Sequence, residues 1–378
     1  MSAVIGAPGE RWLGKPLSRV AWEPARVHFE LATPDRTIVF DGKPDGEAIA
    51  GTLRGGTVST ALTLRRVGPV PAPPYLETDV SFRNGDVALP GSLLLPPGPG
   101  RHPAVVLIHG SSTPSRNDFR FYGDLFARRG IAALIYDKRD AGGDPRGSGR
   151  YSLRDLAGDA LAAVELLKGR EDIDPREIGL WGHSQGGWVA PIAAAASRDV
   201  AFVISFSGPG VSFAEVGRYA DATRLRAHGA TEAEIVEATA ALARVDDFVR
   251  RGGEARELQT FLDDTWRRPW AAWTTVPRRV PTAEQIRDEL RWRDNDLDPA
   301  LFWEKITAPA LVMFGELDDV VPVAASAERI AAALKRAGNG DATIRIFPKA
   351  GHTIQPAPDF LDSMLDWTER RVKGGPRS

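Results

Sequence analysis

The sequence contains no cysteine, and this absence excludes disulfide bonds, thiol catalysis and cysteine-bound metals. It also lacks a large net charge, because 48 Lys and Arg residues nearly balance 50 Asp and Glu residues to give −2. That balance provides no electrostatic basis for binding nucleic acid or an anionic membrane surface. No apolar run reaches the length of a transmembrane helix. We therefore expect neither nucleic acid nor a membrane as a partner.

Signals for export and for metal binding are missing as well. The first residues, MSAVIGAPGERWLG, lack the basic region and the apolar stretch of a signal peptide, so the protein as written is expected in the cytoplasm. His28, His102 and His228 are scattered and have no paired carboxylates at the spacing of metal ligands, so we expect no metal site.

What is present is the composition of an ordinary globular protein, with 43% hydrophobic and 26% charged residues in a chain of 378. This length allows one large α/β domain with additions, or two domains. Changes in pattern divide the chain into a β-rich N-terminal module with a Pro-rich linker (1–74), a first core segment (75–210), an inserted helical segment (211–300) and a second core segment (301–378).

The two core segments alternate between apolar strands and amphipathic helices. Strands are predicted for residues 104–108, 131–136, 178–181, 201–206, 310–314 and 343–347, after an antiparallel pair at 79–82 and 91–95. The run AVVLI at 104–108 is typical of a strand buried on both faces of a parallel sheet. This alternation predicts an α/β fold with a mostly parallel, doubly wound sheet.

The inserted segment contains no convincing strand, and the pair Thr231 and Glu234 predicts a capping box at the start of a helix. Five of the ten tryptophans lie in or just after this segment, which we interpret as a cap over the sheet: Trp266, Trp270, Trp273, Trp292 and Trp303. They could form the core of the cap, or some could line an apolar pocket for an acyl group beneath it.

The pattern Gly182-His183-Ser184-Gln185-Gly186 lies between a predicted strand and an Ala-rich helix. Such a turn holds its serine in a strained conformation, so that the hydroxyl is exposed at the carboxyl end of the strand. Chance alone would supply the pattern in roughly one chain in five of this composition. Its context therefore carries the argument for Ser184 as a nucleophile.

A nucleophilic serine needs a histidine base and a carboxylate that orients the histidine. The predicted strand at 310–314 is followed by Gly315-Glu316-Leu317-Asp318-Asp319, and the strand at 343–347 by a loop that ends in Gly351-His352. Both loops belong to the carboxyl edge of the sheet, where open α/β sheets place their sites. We assign the base to His352 and the carboxylate to Asp318, with Asp319 as the alternative.

Two N–H donors must hold the oxyanion of an acyl-transfer reaction. The N–H of Gln185, directly after the serine, is one candidate, and the N–H of Ser111, in the loop after residues 104–108, is the other. His109 and His183 flank these positions, and we expect them to orient the loops through hydrogen bonds.

Taken together, these motifs resemble the α/β-hydrolases, and more narrowly the bacterial acyl-ester hydrolases near the prolyl-oligopeptidase-like and serine-aminopeptidase-like enzymes. The segments that carry the resemblance are His109-Gly110-Ser111, Tyr136-Asp137-Lys138-Arg139, residues 155–163, Gly182 to Trp188, Gly315 with Asp318 and Pro322, and Gly351-His352. The sequence departs from the family pattern at Ser112 and at Asp140, where a glycine is often found.

The resemblance implies an α/β-hydrolase fold, no cofactor, and a serine esterase acting on esters of small to medium acyl chains. It favours Asp318 over Asp319, because the family places its acid three residues after the glycine. A serine peptidase on the same scaffold and a non-catalytic binding protein are the alternatives. The N-terminal module resembles the second half of a region found in exported relatives, which implies export if the true start lies upstream. The oligomeric state is left open.

Overall fold

The computed structural model describes most of the chain. The described residues are 3–7, 9, 11–33, 36–65, 67–68, 71–111, 115–139, 151–293 and 297–373, with the side chains of 291–293 and 373 left out. Ser112 and Asp140, where the sequence departs from the family pattern, lie outside these residues. None of the described helices is long and apolar enough to cross a membrane.

The N-terminal region is antiparallel, as its β-rich sequence predicts. Its described strands are β1 (Val4–Ala7), β2 (Trp12–Pro16), β3 (Ser18–Glu23), β4 (Arg26–Ala32), β5 (Thr37–Asp45), β6 (Ala48–Gly55) and β7 (Val58–Arg65). β1 and β2 form a hairpin, and β3 to β7 form a meander in sequence order. The sequence pattern predicts no strand before residue 27. In β1 and β2, Gly6, Gly14 and Pro16 interrupt the alternation of side chains that indicates a strand.

The second sheet is the centre of the molecule. Its strands are β8 (Leu76–Asn84), β9 (Val87–Leu95), β10 (His102–Ile108), β11 (Ala132–Tyr136), β12 (Ile173–His183), β13 (Val203–Phe206), β14 (Ala310–Gly315) and β15 (Ala342–Phe347). They lie in the order β15-β14-β13-β12-β10-β11-β9-β8. The strands from β15 to β11 are parallel, and β9 and β8 add an antiparallel edge. The predicted mostly parallel sheet is therefore confirmed.

Helices cover both faces of this sheet and form the insertion. Their bounds are α1 (Arg120–Arg128), α2 (Leu153–Lys168), α3 (Gly186–Ala196), α4 (Phe213–Ala227), α5 (Glu232–Arg251), α6 (Ala255–Thr265), α7 (Ala283–Arg293), α8 (Ala300–Trp303), α9 (Val323–Arg336) and α10 (Phe360–Lys373). One face packs on α2, α3 and α9, and the other on α1 and α10. The central strands are consequently buried on both faces, which is why β10 reads as one apolar run.

The insertion between β13 and β14 is helical and has its own core. Thr231 accepts a hydrogen bond from the Glu234 N–H, and the Glu234 carboxylate accepts one from the Thr231 N–H, so the predicted capping box opens α5. Leu225, Ile235 and Trp270 are buried together between α4, α5 and the residues after α6.

The insertion's tryptophans have different surroundings. Trp270 belongs to the core of the insertion, and Trp266 is half-buried and donates to the Pro277 carbonyl. Trp273 is 44% exposed and stacks on the His228 ring. Trp303 is fully buried in the core beneath the central sheet. The Trp292 side chain lies outside the described part of the chain.

A buried ion pair ties the end of β11 to α2. Arg139 donates from Nε and Nη2 to the Asp159 carboxylate at 2.6 and 2.7 Å, and the Asn84 amide of β8 donates to the same carboxylate at 2.9 Å. The Asp159 side chain is 1% exposed and that of Arg139 is 8% exposed. Removing one partner of such a pair leaves an uncompensated buried charge.

We predict that Asp159→Ala lowers the free energy of unfolding by about 3–5 kcal/mol, because the buried Arg139 guanidinium loses its counter-charge. Urea denaturation followed by tryptophan fluorescence measures the change. The control is Asp199→Ala, which removes a surface ion pair with Lys168 and should lower the free energy of unfolding by about 1 kcal/mol or less. Equal losses in the two variants would contradict the importance of the buried pair.

Candidate active site

The turn between β12 and α3 carries Ser184 in a left-handed conformation, with φ of +53°. Its N–H donates to the Phe206 carbonyl of β13 at 2.9 Å, and its carbonyl accepts from the Gly187 N–H at 2.8 Å. A Cβ on Gly182 would overlap the carbonyl of Gly186, so the backbone closes this tightly only around glycine. The turn holds the serine hydroxyl at the carboxyl edge of the central sheet.

Ser184, His352 and Asp318 form a continuous hydrogen-bonded chain. His352 Nε2 lies 3.0 Å from Ser184 Oγ, and His352 Nδ1 lies 2.8 and 3.0 Å from the two carboxylate oxygens of Asp318. The carboxylate fixes the proton on Nδ1, which leaves Nε2 as the acceptor facing the hydroxyl. The structure thus brings the three residues predicted from the sequence together in one hydrogen-bonded chain.

The carboxylate comes from Asp318, and the Asp319 side chain is exposed. The Asp318 side chain is fully buried, and one of its oxygens accepts hydrogen bonds from the N–H groups of Val320 and Val321 at 2.9 and 2.8 Å. The Tyr219 hydroxyl of α4 donates to the Asp318 carbonyl at 2.9 Å. These contacts hold the Asp318 carboxylate against the imidazole.

The loop after β15, residues 348–356, carries His352 and is called the histidine loop below. A Cβ on Gly315 would overlap the carbonyls of Ala350 and Gly351, so the loops after β14 and β15 approach each other closely only through glycine. The Leu317 N–H donates to the Ala350 carbonyl at 2.8 Å, and the Ser207 hydroxyl donates to the His352 carbonyl at 2.7 Å. The backbone on both sides of the imidazole is therefore fixed.

The two predicted oxyanion donors lie at the ends of neighbouring strands. Gln185 is buried and precedes the first residue of α3, and Ser111 lies in the loop after β10 and is exposed. β10 and β12 are adjacent and parallel, with Ile108 paired to Gly182. The topology thus places both residues at the same edge of the sheet as Ser184.

His109 and His183 are buried, and burial lowers the pKa of each to about 3. A ring nitrogen of His109 bonds to the Tyr136 carbonyl. Neither ring nitrogen of His183 has a partner with good hydrogen-bond geometry among the described residues. The main chain of His352 lies near the ring and opposes the lowering of its pKa. The ring packs instead against Phe206 and His352. These ring contacts hold His183 beside the turn, and its orienting hydrogen bond stays a prediction.

Groups that could hold a metal ion are not assembled in the described part of the chain, where no three His, Asp or Glu side chains converge suitably. His28 lies on β4, its Nδ1 2.9 Å from an Asp41 oxygen and its Nε2 3.6 Å from Glu30. His228 stacks on Trp273. Neither histidine contacts the Ser184 chain.

Arg11, in the turn of the N-terminal hairpin, is a site residue that the sequence analysis missed. Its guanidinium donates to the carbonyls of Thr353 and Ile354 at 2.5 and 2.9 Å and to the Tyr122 hydroxyl at 2.8 Å. It also lies over the Phe360 ring, 4.8 Å from the centroid. The hairpin thus supports the histidine loop directly. No local pattern marks Arg11, because its loop partners are more than 300 positions away.

We predict that Arg11→Ala loosens the histidine loop, because two of its carbonyls lose their charged donor. Hydrogen–deuterium exchange of a peptide covering residues 350–356 should become faster. Arg19→Ala is the matched control: this arginine also has a positive φ, its side chain is 79% exposed, and it pairs with Glu30 at 3.4 Å. Unchanged exchange in Arg11→Ala would show that the hairpin does not support the loop.

We predict that the free energy of unfolding of His183→Phe depends less steeply on pH, below about pH 6.5, than that of the wild type. The unfolded histidine binds a proton below about pH 6.5, whereas the folded one stays neutral down to about pH 3. The free energy of unfolding therefore decreases as the pH falls from 6.5 toward 3, and His183 contributes up to about 1.4 kcal/mol per pH unit to this decrease. His183→Phe should lack this contribution. Urea denaturation at several pH values from 6.5 to 4.5 measures it. Parallel profiles would contradict a neutral buried His183.

Comparison with known proteins places these observations in a family. A family model described as the alpha/beta hydrolase family matches residues 105–363. The esterase EstD of Thermotoga maritima is 29% identical over 166 residues, which cover 38% of this chain and 40% of that protein. The chain thus spans well under half the length of this curated relative.

Solved structures share the fold at low sequence identity. The crystal structure of 2,6-dihydroxy-pseudo-oxynicotine hydrolase aligns with a TM-score of 0.52 and 19% identity over 81% of this chain and 70% of that one. An acylaminoacyl peptidase from Pyrococcus horikoshii aligns with a TM-score of 0.54 and 14% identity over 96% of this chain and 57% of that one. These likenesses concern the fold. With the family model spanning most of the chain and the sheet, turn and loop order in agreement, the protein belongs to the alpha/beta hydrolase family.

Proposed function

We propose that this protein is a serine esterase, which cleaves carboxylic esters of small to medium acyl chains through an acyl-enzyme intermediate. The observation that carries the proposal is the hydrogen-bonded chain from Ser184 through His352 to Asp318. A serine hydroxyl 3.0 Å from an imidazole nitrogen, with the imidazole oriented by a buried carboxylate, suits nucleophilic attack on an acyl carbon.

Acylation begins when Ser184 Oγ attacks the carbonyl carbon of the ester. His352 Nε2 takes the hydroxyl proton, and the imidazolium that forms keeps its Nδ1–H on the Asp318 carboxylate. The negative charge of Asp318 stabilises this cation, and the fixed loops keep the ring from rotating away from the serine. The C–O bond to the leaving group then breaks, and the imidazolium gives its proton to the departing alkoxide.

Deacylation repeats these steps with water as the nucleophile. His352 Nε2 removes a proton from the water, the hydroxide attacks the acyl-serine carbonyl, and the proton returns to Ser184 Oγ as the acid leaves. In both halves the carbonyl oxygen becomes an oxyanion. The N–H groups of Ser111 and Gln185 are proposed to hold it, because they lie at the ends of the two strands nearest the serine.

The helical insertion is proposed to shape the acyl pocket. It contacts the site at two points: Tyr219 of α4 donates to the Asp318 carbonyl, and the Trp188 indole N–H of α3 donates to the Val211 carbonyl, just before α4, at 3.0 Å. A helical segment attached beside the site in this way is proposed to limit the length of substrate that fits.

Esters are favoured over amides because a matched relative is named an esterase. An amide would need the same nucleophile and base but a poorer leaving group. The alternative of a serine peptidase is therefore kept as an arm of the test, and no described contact specifically favours it.

The direct test is hydrolysis of p-nitrophenyl acetate, butyrate and octanoate, and of an aminoacyl p-nitroanilide, at neutral pH. We expect the wild type to hydrolyse the esters faster than the anilide, and Ser184→Ala to lose on the order of 10⁴- to 10⁶-fold in kcat. The control is Ser59→Ala, on an exposed position of β7, which should match the wild type. The three esters measure the length of the acyl pocket.

Two results would contradict the proposal. Equal, slow turnover by the wild type and Ser184→Ala would contradict both the esterase function and the role of Ser184 as nucleophile. Faster cleavage of the anilide than of the esters would support Ser184 as nucleophile but indicate a peptidase. Labelling of Ser184 by a fluorophosphonate, followed by mass spectrometry, reports on the nucleophile independently of any substrate.

A further inference from the structure

Lys138 is a buried lysine next to the site for which the catalytic steps above have no use. It follows β11, is 7% exposed, and its ammonium donates to the Gly110 carbonyl at 3.0 Å and to the Gln185 side-chain oxygen at 2.6 Å. Both partners are neutral oxygens. Burial lowers the pKa of Lys138 to about 8, which shows that its charged form is held at a cost in stability.

The first contact determines where an N–H group points. In a trans peptide the carbonyl and the N–H of the next residue lie in one plane and point in opposite directions. The carbonyl of Gly110 and the N–H of Ser111 belong to the same peptide. Because Lys138 holds the carbonyl on its own side, the Ser111 N–H is directed to the other side, away from the lysine.

The second contact holds the other donor. Gln185 lies between the nucleophile and the first residue of α3, and its N–H is the second proposed oxyanion donor. Its side chain ends on Lys138, which fixes this residue from the buried side. Lys138 bridges the loops after β10 and β12 from the loop after β11, on the far side of β10.

We infer that Lys138 is a positioning residue of the oxyanion hole, which joins its two donor loops through one ammonium group. The inference rests on the proposed esterase function. It explains why a lysine occupies this buried position: three donors on one atom can hold two acceptors from different loops, whereas an apolar side chain of similar length would fill the same space without orienting either.

The test compares Lys138→Met, Lys138→Arg and the wild type. The matched control is Lys168→Met, on α2, where the lysine pairs with Glu165 and Asp199 away from the site. Four quantities are measured: kcat and KM for p-nitrophenyl butyrate, the inhibition constant of an alkyl trifluoromethyl ketone, the rate of fluorophosphonate labelling, and the melting temperature. The ketone forms a tetrahedral adduct whose oxyanion needs the same donors as the transition state.

For Lys138→Met we expect kcat to fall on the order of tenfold to a hundredfold, less than for complete loss of one oxyanion donor. KM should stay within about threefold, because the ester is bound before the oxyanion forms. The affinity for the ketone and the labelling rate should fall by a factor similar to that of kcat. Lys138→Arg, which keeps the charge and the donors, should recover part of the loss, and Lys168→Met should match the wild type.

Two results would overturn the inference. One is a Lys138→Met protein with kcat, ketone affinity and labelling rate within about twofold of the wild type. The other is a joint loss of melting temperature, KM and kcat that Lys138→Arg does not relieve, which would assign a purely structural role. If the wild type hydrolyses no ester, the proposed function fails, and the labelling rate alone decides the role of Lys138. If the wild type is not labelled either, both proposals fail.

Discussion

The left-handed turn at Ser184 is the constraint on which the rest of the site depends. It places one hydroxyl at the end of β12, and each other group has to reach that point from a different part of the chain. Parallel strands make this possible because their carboxyl ends meet at one edge. This convergence requires close contacts between backbone segments, and the absence of a side chain at Gly182 and Gly315 allows these contacts. The arrangement is rigid because the backbone, and not only the side chains, is hydrogen-bonded at each step.

Two cations stabilise this edge from outside the Ser184–His352–Asp318 chain. Arg11 comes from the N-terminal hairpin and holds carbonyls of the histidine loop, while Lys138 comes from the loop after β11 and holds a carbonyl and an amide oxygen near the nucleophile. Both act on neutral acceptors, so their positive charge strengthens the hydrogen bonds without neutralising Asp318. Arg11 thereby connects the N-terminal hairpin to the histidine loop.

The order of the elements could be predicted because each carries a local signal. Residues 104–108 read as a strand buried on both faces, Thr231 with Glu234 as a helix start, and Gly182 to Gly186 as a strand-to-helix turn. β1 and β2 could not be predicted, because Gly6, Gly14 and Pro16 break their alternation. Their place is set by pairing with each other and by contacts such as that of Arg11, which no window of neighbouring residues contains.

The sequence by itself determined the fold family, the candidates Ser184 and His352, and a choice between two neighbouring aspartates, since these depend on motifs within a few residues. The tertiary structure decided what depends on contacts between distant segments. It turned Asp318 toward the imidazole and left Asp319 exposed, it surrounded His183 with aromatic rings, and it brought Arg11 and Lys138 to the loops they hold. Side-chain direction and burial arise only when strands pack, so no local pattern encodes them.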